Sequence, residues 1–269
     1  MATLSISTQD SIDYHYTAPT ADGGVTFVFF NALTGDIAHW EDAVAPAVRD
    51  AGHGTLVYNM RGQANSPFTP GTVLGPELIV SDACAVMDEA KPVRPVLVGL
   101  SIGGLFAAHA ALGGADATGL VFINTLREDG PRLRWINDAV VRMAEVGGPD
   151  LLRDLMSPLI MNEGWQAENR DNCLNDDGYA PIDQATGTYN LLSSARTSDW
   201  NIPYESLSMP VLLITGIHDR VFRDPPVIDR LAARIPNATR VDFDDAGHMV
   251  PVEQPKKLAD ALIKFAATV

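Results

Sequence analysis

Basic residues are scarce in this chain. Lys and Arg number 19 against 34 Asp and Glu, a formal net charge of −15 over 269 residues. Only Lys256 and Lys257 are adjacent. A surface this negative repels phosphate backbones and anionic lipid headgroups, so neither a nucleic-acid nor a membrane partner is expected. Cysteine is scarcer still. Cys84 and Cys173 are too few for a disulfide framework and lack metal-ligand spacing. Cys84 falls on the apolar stripe of a predicted helix and reads as a buried small hydrophobe. Long apolar runs are missing too: no stretch approaches the roughly 18 residues of a membrane span. Met1–Tyr16 alternates polar and apolar residues and has no basic n-region or apolar h-region, so no secretory signal is expected. A cytoplasmic protein is the resulting expectation.

Apolar residues, by contrast, are plentiful. They make up 46% of the chain and charged residues 20%, enough to bury a large core. At this length one domain, or one domain with an insertion, is expected. Leu4–Thr8 and Ile12–Thr17 alternate with period two and predict an antiparallel strand pair. Val25–Phe30 is a continuous apolar run, as expected of a strand buried on both faces. Strand and helix patterns then alternate. Leu56–Tyr58, Pro95–Leu100, Gly119–Ile123, Pro210–Thr215 and Ala238–Phe243 read as strands, with helical spacings between and after them. This predicts an α/β fold, a doubly wound and mostly parallel sheet. Arg127–Trp200 breaks the rhythm. It has no strand pattern, reads as helical over Leu133–Met161 and as loop over Asn169–Gly178, and is too long for a simple connection. We read 127–200 as a helical insertion over the carboxyl edge of the sheet, and 1–126 with 201–269 as the core.

The sharpest motif is Gly99-Leu100-Ser101-Ile102-Gly103. It matches G-x-S-x-G between a predicted strand and a small-residue helix. A serine on so tight a turn projects its hydroxyl free of the sheet, and side chains two residues to either side would collide. The hydroxyl needs a base. Of six histidines, His248 is favoured, because it lies in a loop after the last strand, at the edge where Ser101 emerges. The histidine needs an acid. Asp219 follows the strand ending at Thr215, and Ser101…Asp219…His248 is the chain order of the serine elbow fold. Glu128, Asp129, Asp242, Asp244 and Asp245 are rivals. An oxyanion hole would use the amide of Ile102 and one from the turn Asn31–Gly35, with Leu33 preferred and Ala32 next.

These residues resemble the α/β-hydrolase fold superfamily over nearly the whole chain. The strand pair, the elbow, the acid and the segment Gly247-His248…Glu253-Gln254-Pro255 carry the likeness. The chain is most similar to capped esterases, lactonases and carbon–carbon hydrolases, including the 3-oxoadipate enol-lactonase type. Two stretches differ from what many members have. Asn31-Ala32 stands where His-Gly is common, and Arg61-Gly62-Gln63-Ala64-Asn65-Ser66 where Arg-Gly-His-Gly-x-Ser is common. The serine separates the chain from the dehalogenase and epoxide hydrolase branches, which use aspartate. The resemblance implies a catalytic triad of Ser101, Asp219 and His248, and a cap that shapes the pocket. Trp135, Met143 and Trp165 are the expected substrate-binding residues, with Met156, Met161, Tyr179, Tyr189 and Trp200 as further candidates. The insertion has a net charge of −6, which disfavours strongly anionic substrates unless a buried arginine (Arg61, Arg127 or Arg196) overrides it.

The leading expectation is a serine hydrolase acting on an ester, lactone or thioester of a small molecule. A carbon–carbon hydrolase or cofactor-free haloperoxidase with the same triad is the alternative, and a non-catalytic ligand receptor a further one. No phosphate-cradling loop, metal cluster or cofactor fingerprint is visible, so neither cofactor nor metal is expected. Monomer and homo-oligomer both stay open.

Overall fold

The computed structural model describes residues 2–174 and 178–269. Its strands are β1 (Ala2–Ser5), β2 (Ser11–Thr17), β3 (Thr26–Phe30), β4 (Gly54–Tyr58), β5 (Pro95–Leu100), β6 (Gly119–Ile123), β7 (Val211–Gly216) and β8 (Ala238–Phe243). They form one eight-stranded sheet in the order β1-β2-β4-β3-β5-β6-β7-β8. β1 and β2 pair antiparallel, β2 meets β4 antiparallel, and every other pairing is parallel. Parallel strands need crossovers, which the helices supply: α1 (Ala38–Glu41), α2 (Val44–Asp50), α3 (Pro76–Ala90), α4 (Ile102–Leu112), α5 (Pro131–Ile160), α6 (Glu163–Cys173), α7 (Gly187–Ser194), α8 (Pro225–Ala232), α9 (Val250–Glu253) and α10 (Pro255–Ala266).

Alternation along each strand splits the core in two. Val28, Phe30, Leu97 and Phe122 face one layer with Ile79 and Val86 of α3, Leu105 of α4 and Ile228 of α8. Phe27, Phe29, Val96, Val98 and Val121 face the other, with Val44 and Val48 of α2 and Leu258, Leu262 and Phe265 of α10. β3 to β7 are buried on both faces, which is why their sequences are mostly apolar and the polar residues among them are buried threonines. Each fully buried large apolar side chain contributes about 1.5–3 kcal/mol over the exposed state.

Between β6 and β7 the described residues hold helices and no strand, a helical cap on the sheet. The long helix α5 is broken at Gly148, whose φ of 68° and ψ of −161° leave helical geometry just before Pro149. A Cβ there would lie 2.3 Å from the Ala180 carbonyl oxygen. Three details differ from the sequence reading. β1 begins and ends earlier than Leu4–Thr8, because Ser7 to Asp10 fold into a turn through the Ser7 hydroxyl. Asn169–Cys173 is the end of helix α6, capped at its start by the Asn162 side chain, and not loop. The rest of the expected loop includes residues 175–177, which lie outside the described residues. Cys84 is half-buried against the core. No helix among the described residues is long and apolar enough to cross a membrane.

Parallel register places the carboxyl ends together. Phe30 pairs with Gly99, Leu100 with Ile123, and Ile123 with Ile214. The turns after β3, β5, β6, β7 and β8 therefore open on one edge, where a parallel sheet presents its ligand crevice.

Candidate active site

Ser101 is the one residue between β5 and α4. It holds φ 59° and ψ −123°, a strained conformation for a non-glycine residue. A Cβ on Gly99 would come within 2.2 Å of the Gly104 nitrogen, and one on Gly103 within 2.3 Å of the Phe30 carbonyl oxygen. Both glycines let strand and helix close on each other behind the serine. The Ser101 amide is tied to the Ile123 carbonyl at 2.8 Å. Ile102 then begins the helix, and among the described residues no acceptor takes its amide or that of Leu33.

Asp219 lies in the turn after β7, nearly fully buried. Its Oδ1 accepts from the amides of Val221 (3.0 Å) and Phe222 (2.9 Å), and its Oδ2 is 2.6 Å from His248 Nδ1. A carboxylate only accepts, so Nδ1 donates, and in the neutral ring this tautomer leaves Nε2 its lone pair. Burial pushes the Asp219 carboxyl up, but His248, the Phe222 amide and Arg127 outweigh it and hold it below the usual carboxylate range. The rival acids are engaged elsewhere. Glu128 meets Arg230, Asp129 meets Arg134, Asp242 meets Arg240, and Asp244 and Asp245 share Lys257.

The His248 loop is fastened from two sides. Asn124, just past β6, donates to the carbonyls of Gly247 and His248, both at 2.9 Å. Glu253 accepts from the amides on either side of the histidine, Gly247 at 2.8 Å and Met249 at 2.9 Å. The same carboxylate takes the Asn162 amide and side chain from the cap, and the His248 amide donates to Ile160 at the end of α5. The Phe222 ring lies 4.8 Å from the His248 ring. Nothing in the sequence marked Phe222 or Asn124 for these roles beyond their closeness to strand ends, and Glu253 stood out only as part of the Gly247…Pro255 segment that carries the family likeness.

Ser101 and His248 line the same cavity of about 140 Å³, under α5 and α7. Its wall is mostly apolar: Leu33, Val140, Leu152, Leu192, Trp200 and Phe222 among others. The Ser101 Oγ accepts at 2.8 Å from Arg127 Nη2 and makes no hydrogen bond to His248. Arg127 is the cavity's arginine. Arg61 instead pairs with Asp82 and Asp10, and Arg196 with Asp138 at 3.6 Å on the surface.

Of the cap residues singled out, Met156 and Trp200 line the inner cavity. Met161 and Trp165 line a second, outer chamber of about 620 Å³ that shares Leu33, Leu152 and Met156 with it. Met143 is half-buried and lines neither, and Tyr179 and Tyr189 are also outside both. Trp135 is 79% exposed, on the outside of α5 beside Arg220. Its position on the helix turns it away from the serine, which apolar character alone does not reveal.

Comparison with known proteins agrees with this architecture. The profile of the alpha/beta hydrolase family matches residues 27–261. A Variovorax paradoxus protein bearing the provisional name carbamate hydrolase RutD is 22% identical over 258 residues, covering 95% of this chain and 96% of its own. A Mycobacterium tuberculosis protein provisionally named non-heme bromoperoxidase BpoC is 24% identical over 252 residues, covering 91% and 95%. Among solved structures, the enol-lactonase from Burkholderia xenovorans LB400 superimposes with a TM-score of 0.78 at 23% identity, covering 96% of this chain and 97% of that one.

Proposed function

Since the chain belongs to the alpha/beta hydrolase family, we propose that it is a serine hydrolase cleaving a carboxylic ester, lactone or thioester of a small molecule through an acyl-enzyme on Ser101. The observation that carries this reading is the 2.6 Å bond between Asp219 and His248, made at the sheet edge where strained Ser101 stands and beside the same cavity. On this reading residues 127–200 are the cap, and 1–126 with 201–269 the catalytic core.

On this reading the reaction begins with Ser101 Oγ turning from Arg127 Nη2 to His248 Nε2. His248 Nε2 takes the Ser101 proton as Oγ attacks the carbonyl carbon. The negative oxygen forms against the amides of Ile102 and Leu33, each worth about 2.7–4 kcal/mol if well aimed. Asp219 stabilises the imidazolium. The tetrahedral intermediate collapses, His248 returns the proton to the leaving alcohol or thiol, and the acyl group stays on Oγ. Water then attacks the acyl carbon with His248 as base, and the acid leaves. A carbamate would follow the same course, the reaction in the name of the Variovorax relative.

A fluorophosphonate probe tests the reading. It should label the wild type at Ser101 and not Ser101→Ala, and a folded wild type that stays unlabelled overturns it. The bromoperoxidase name of the mycobacterial relative keeps a cofactor-free haloperoxidase as the second reading. Turnover of p-nitrophenyl acetate without bromination of monochlorodimedone in bromide, acetate and peroxide separates the two.

A further inference from the structure

Among the described residues two arginines are deeply buried, and the protein treats them differently. Arg61, 5% exposed, is neutralised by Asp82, with Nε and Nη2 on its two oxygens, and by Asp10 at 3.4 Å. That is how a fold retains a buried cation, since burying an unpaired charge costs several kcal/mol. Arg127, 7% exposed, has no carboxylate within ion-pair distance among the described residues. Its Nη2 donates to two neutral oxygens, Ser101 Oγ at 2.8 Å and the Asn124 carbonyl at 3.1 Å. Its Nε is buried with no acceptor. The carboxylate that bears on it, Asp219, already has its oxygens on His248 and on the amides of Val221 and Phe222.

The guanidinium is also held rigidly. Its carbon lies 4.2 Å from the centre of the Phe222 ring and 5.2 Å from that of Trp200, a stacking that favours a cation on the aromatic faces. Burial, partly offset by Asp219, lowers its pKa to about 10, so it stays charged at neutral pH. Arg127 thus places one permanent positive charge on the wall of an apolar cavity, next to the serine hydroxyl.

We propose that Arg127 is the receptor for a carboxylate on the substrate, so that the enzyme acts on small esters or lactones bearing a free carboxylate a few bonds from the scissile carbonyl. The proposal rests on the serine hydrolase reading for the identity of that carbonyl. Proximity sets the short spacing: a carbonyl in reach of Ser101 Oγ is already within a few ångströms of the guanidinium. A planar fork of N–H donors matches a carboxylate in geometry and charge. The arriving anion would supply the counter-charge that the fold withholds from Arg127 and provides to Arg61.

The test compares the monomethyl esters of malonate, succinate and glutarate with methyl keto esters of the same length, in which a neutral methyl ketone replaces the carboxylate. Hydrolysis is followed by proton release for wild type, Arg127→Met and Arg127→Lys, with circular dichroism to check folding. The wild type should prefer at least one half-ester over its ketone by about tenfold or more in kcat/KM. Arg127→Met should abolish that preference and Arg127→Lys retain part of it. A wild type with no preference at any length, or a preference that survives in Arg127→Met, overturns the proposal while leaving the serine hydrolase reading intact. Calorimetric titration of the half-esters into Ser101→Ala separates the two ideas. Binding that Arg127→Met removes, in a protein whose wild type hydrolyses neither series, supports the anion site and counts against the hydrolase.

Discussion

Asn31 and Gln63 are hydrogen-bonded to each other inside the protein, Asn31 Nδ2 donating to Gln63 Oε1 at 3.0 Å. Gln63 Nε2 in turn donates to the carbonyls of Ala32 at 2.8 Å and Leu33 at 3.1 Å. Asn31 Oδ1 accepts from the Trp40 indole at 2.7 Å, and Asn31 Nδ2 also reaches the Tyr58 carbonyl. One departure from each of the two stretches, Asn31 and Gln63, thus belongs to a single hydrogen-bonded unit, and it grips the turn carrying the Leu33 amide. Gln63→Leu should lower kcat on p-nitrophenyl acetate by about 10–100-fold with a smaller change in KM, because a misdirected oxyanion donor acts on the transition state. An unchanged kcat would show that the turn holds its shape without Gln63.

Asp219→Asn should reduce kcat by about 10⁴ while leaving the fold intact. An amide can keep the two backbone donors of Val221 and Phe222 but offers its NH₂ toward His248 as readily as its oxygen, so the ring is no longer held in the productive tautomer. Steady-state kinetics, with active-site titration to count competent enzyme, measure this.

The same acid sets a pH dependence of stability. The Asp219 carboxyl in the fold titrates below its ordinary value near 3.8, so the unfolded chain binds its proton first as pH falls. Its contribution is fully present above about pH 5 and is lost as pH drops through 4 toward the folded value. Urea midpoints measured from pH 7 to pH 3 should fall more steeply for the wild type than for Asp219→Asn, and parallel curves would refute the assignment.

Glu253→Ala should cost about 2–4 kcal/mol of stability and lower kcat as well. It strips the acceptor from the amides of Gly247, Met249 and Asn162 at once, loosening the histidine loop and its link to the cap. Thermal melts and kcat from the same preparation would show whether the two losses travel together.

Glycine positions should differ sharply. Gly99→Ala meets backbone at 2.2 Å, whereas a Cβ at Gly75 meets nothing within 4 Å. Gly75 has φ −76° and ψ 165°, open to any residue. Gly99→Ala should cost more than about 4 kcal/mol and yield little folded protein, while Gly75→Ala should unfold in urea at the wild-type midpoint within error.

Much of this molecule is a matter of local pattern, and local pattern is written in the sequence. Val25–Phe30, Pro95–Leu100 and Gly119–Ile123 read as buried strands because each is apolar with at most one threonine, and they lie side by side in the sheet. Ser101, Asp219 and His248 stand out because each follows a strand, and parallel strands deliver their carboxyl ends to one edge. What depends on distant partners was decided by the tertiary structure alone. No spacing in the chain says that Arg61 would find Asp82 and Asp10 while Arg127 would find none, that Glu253 would clasp both sides of His248, or that Trp135 would face outward. Those outcomes turn on which side chains the packed sheet and cap bring within hydrogen-bond distance. Desolvation makes each such pairing, or its absence, consequential, since a charge out of water must be met by a partner in the fold or by one that binds.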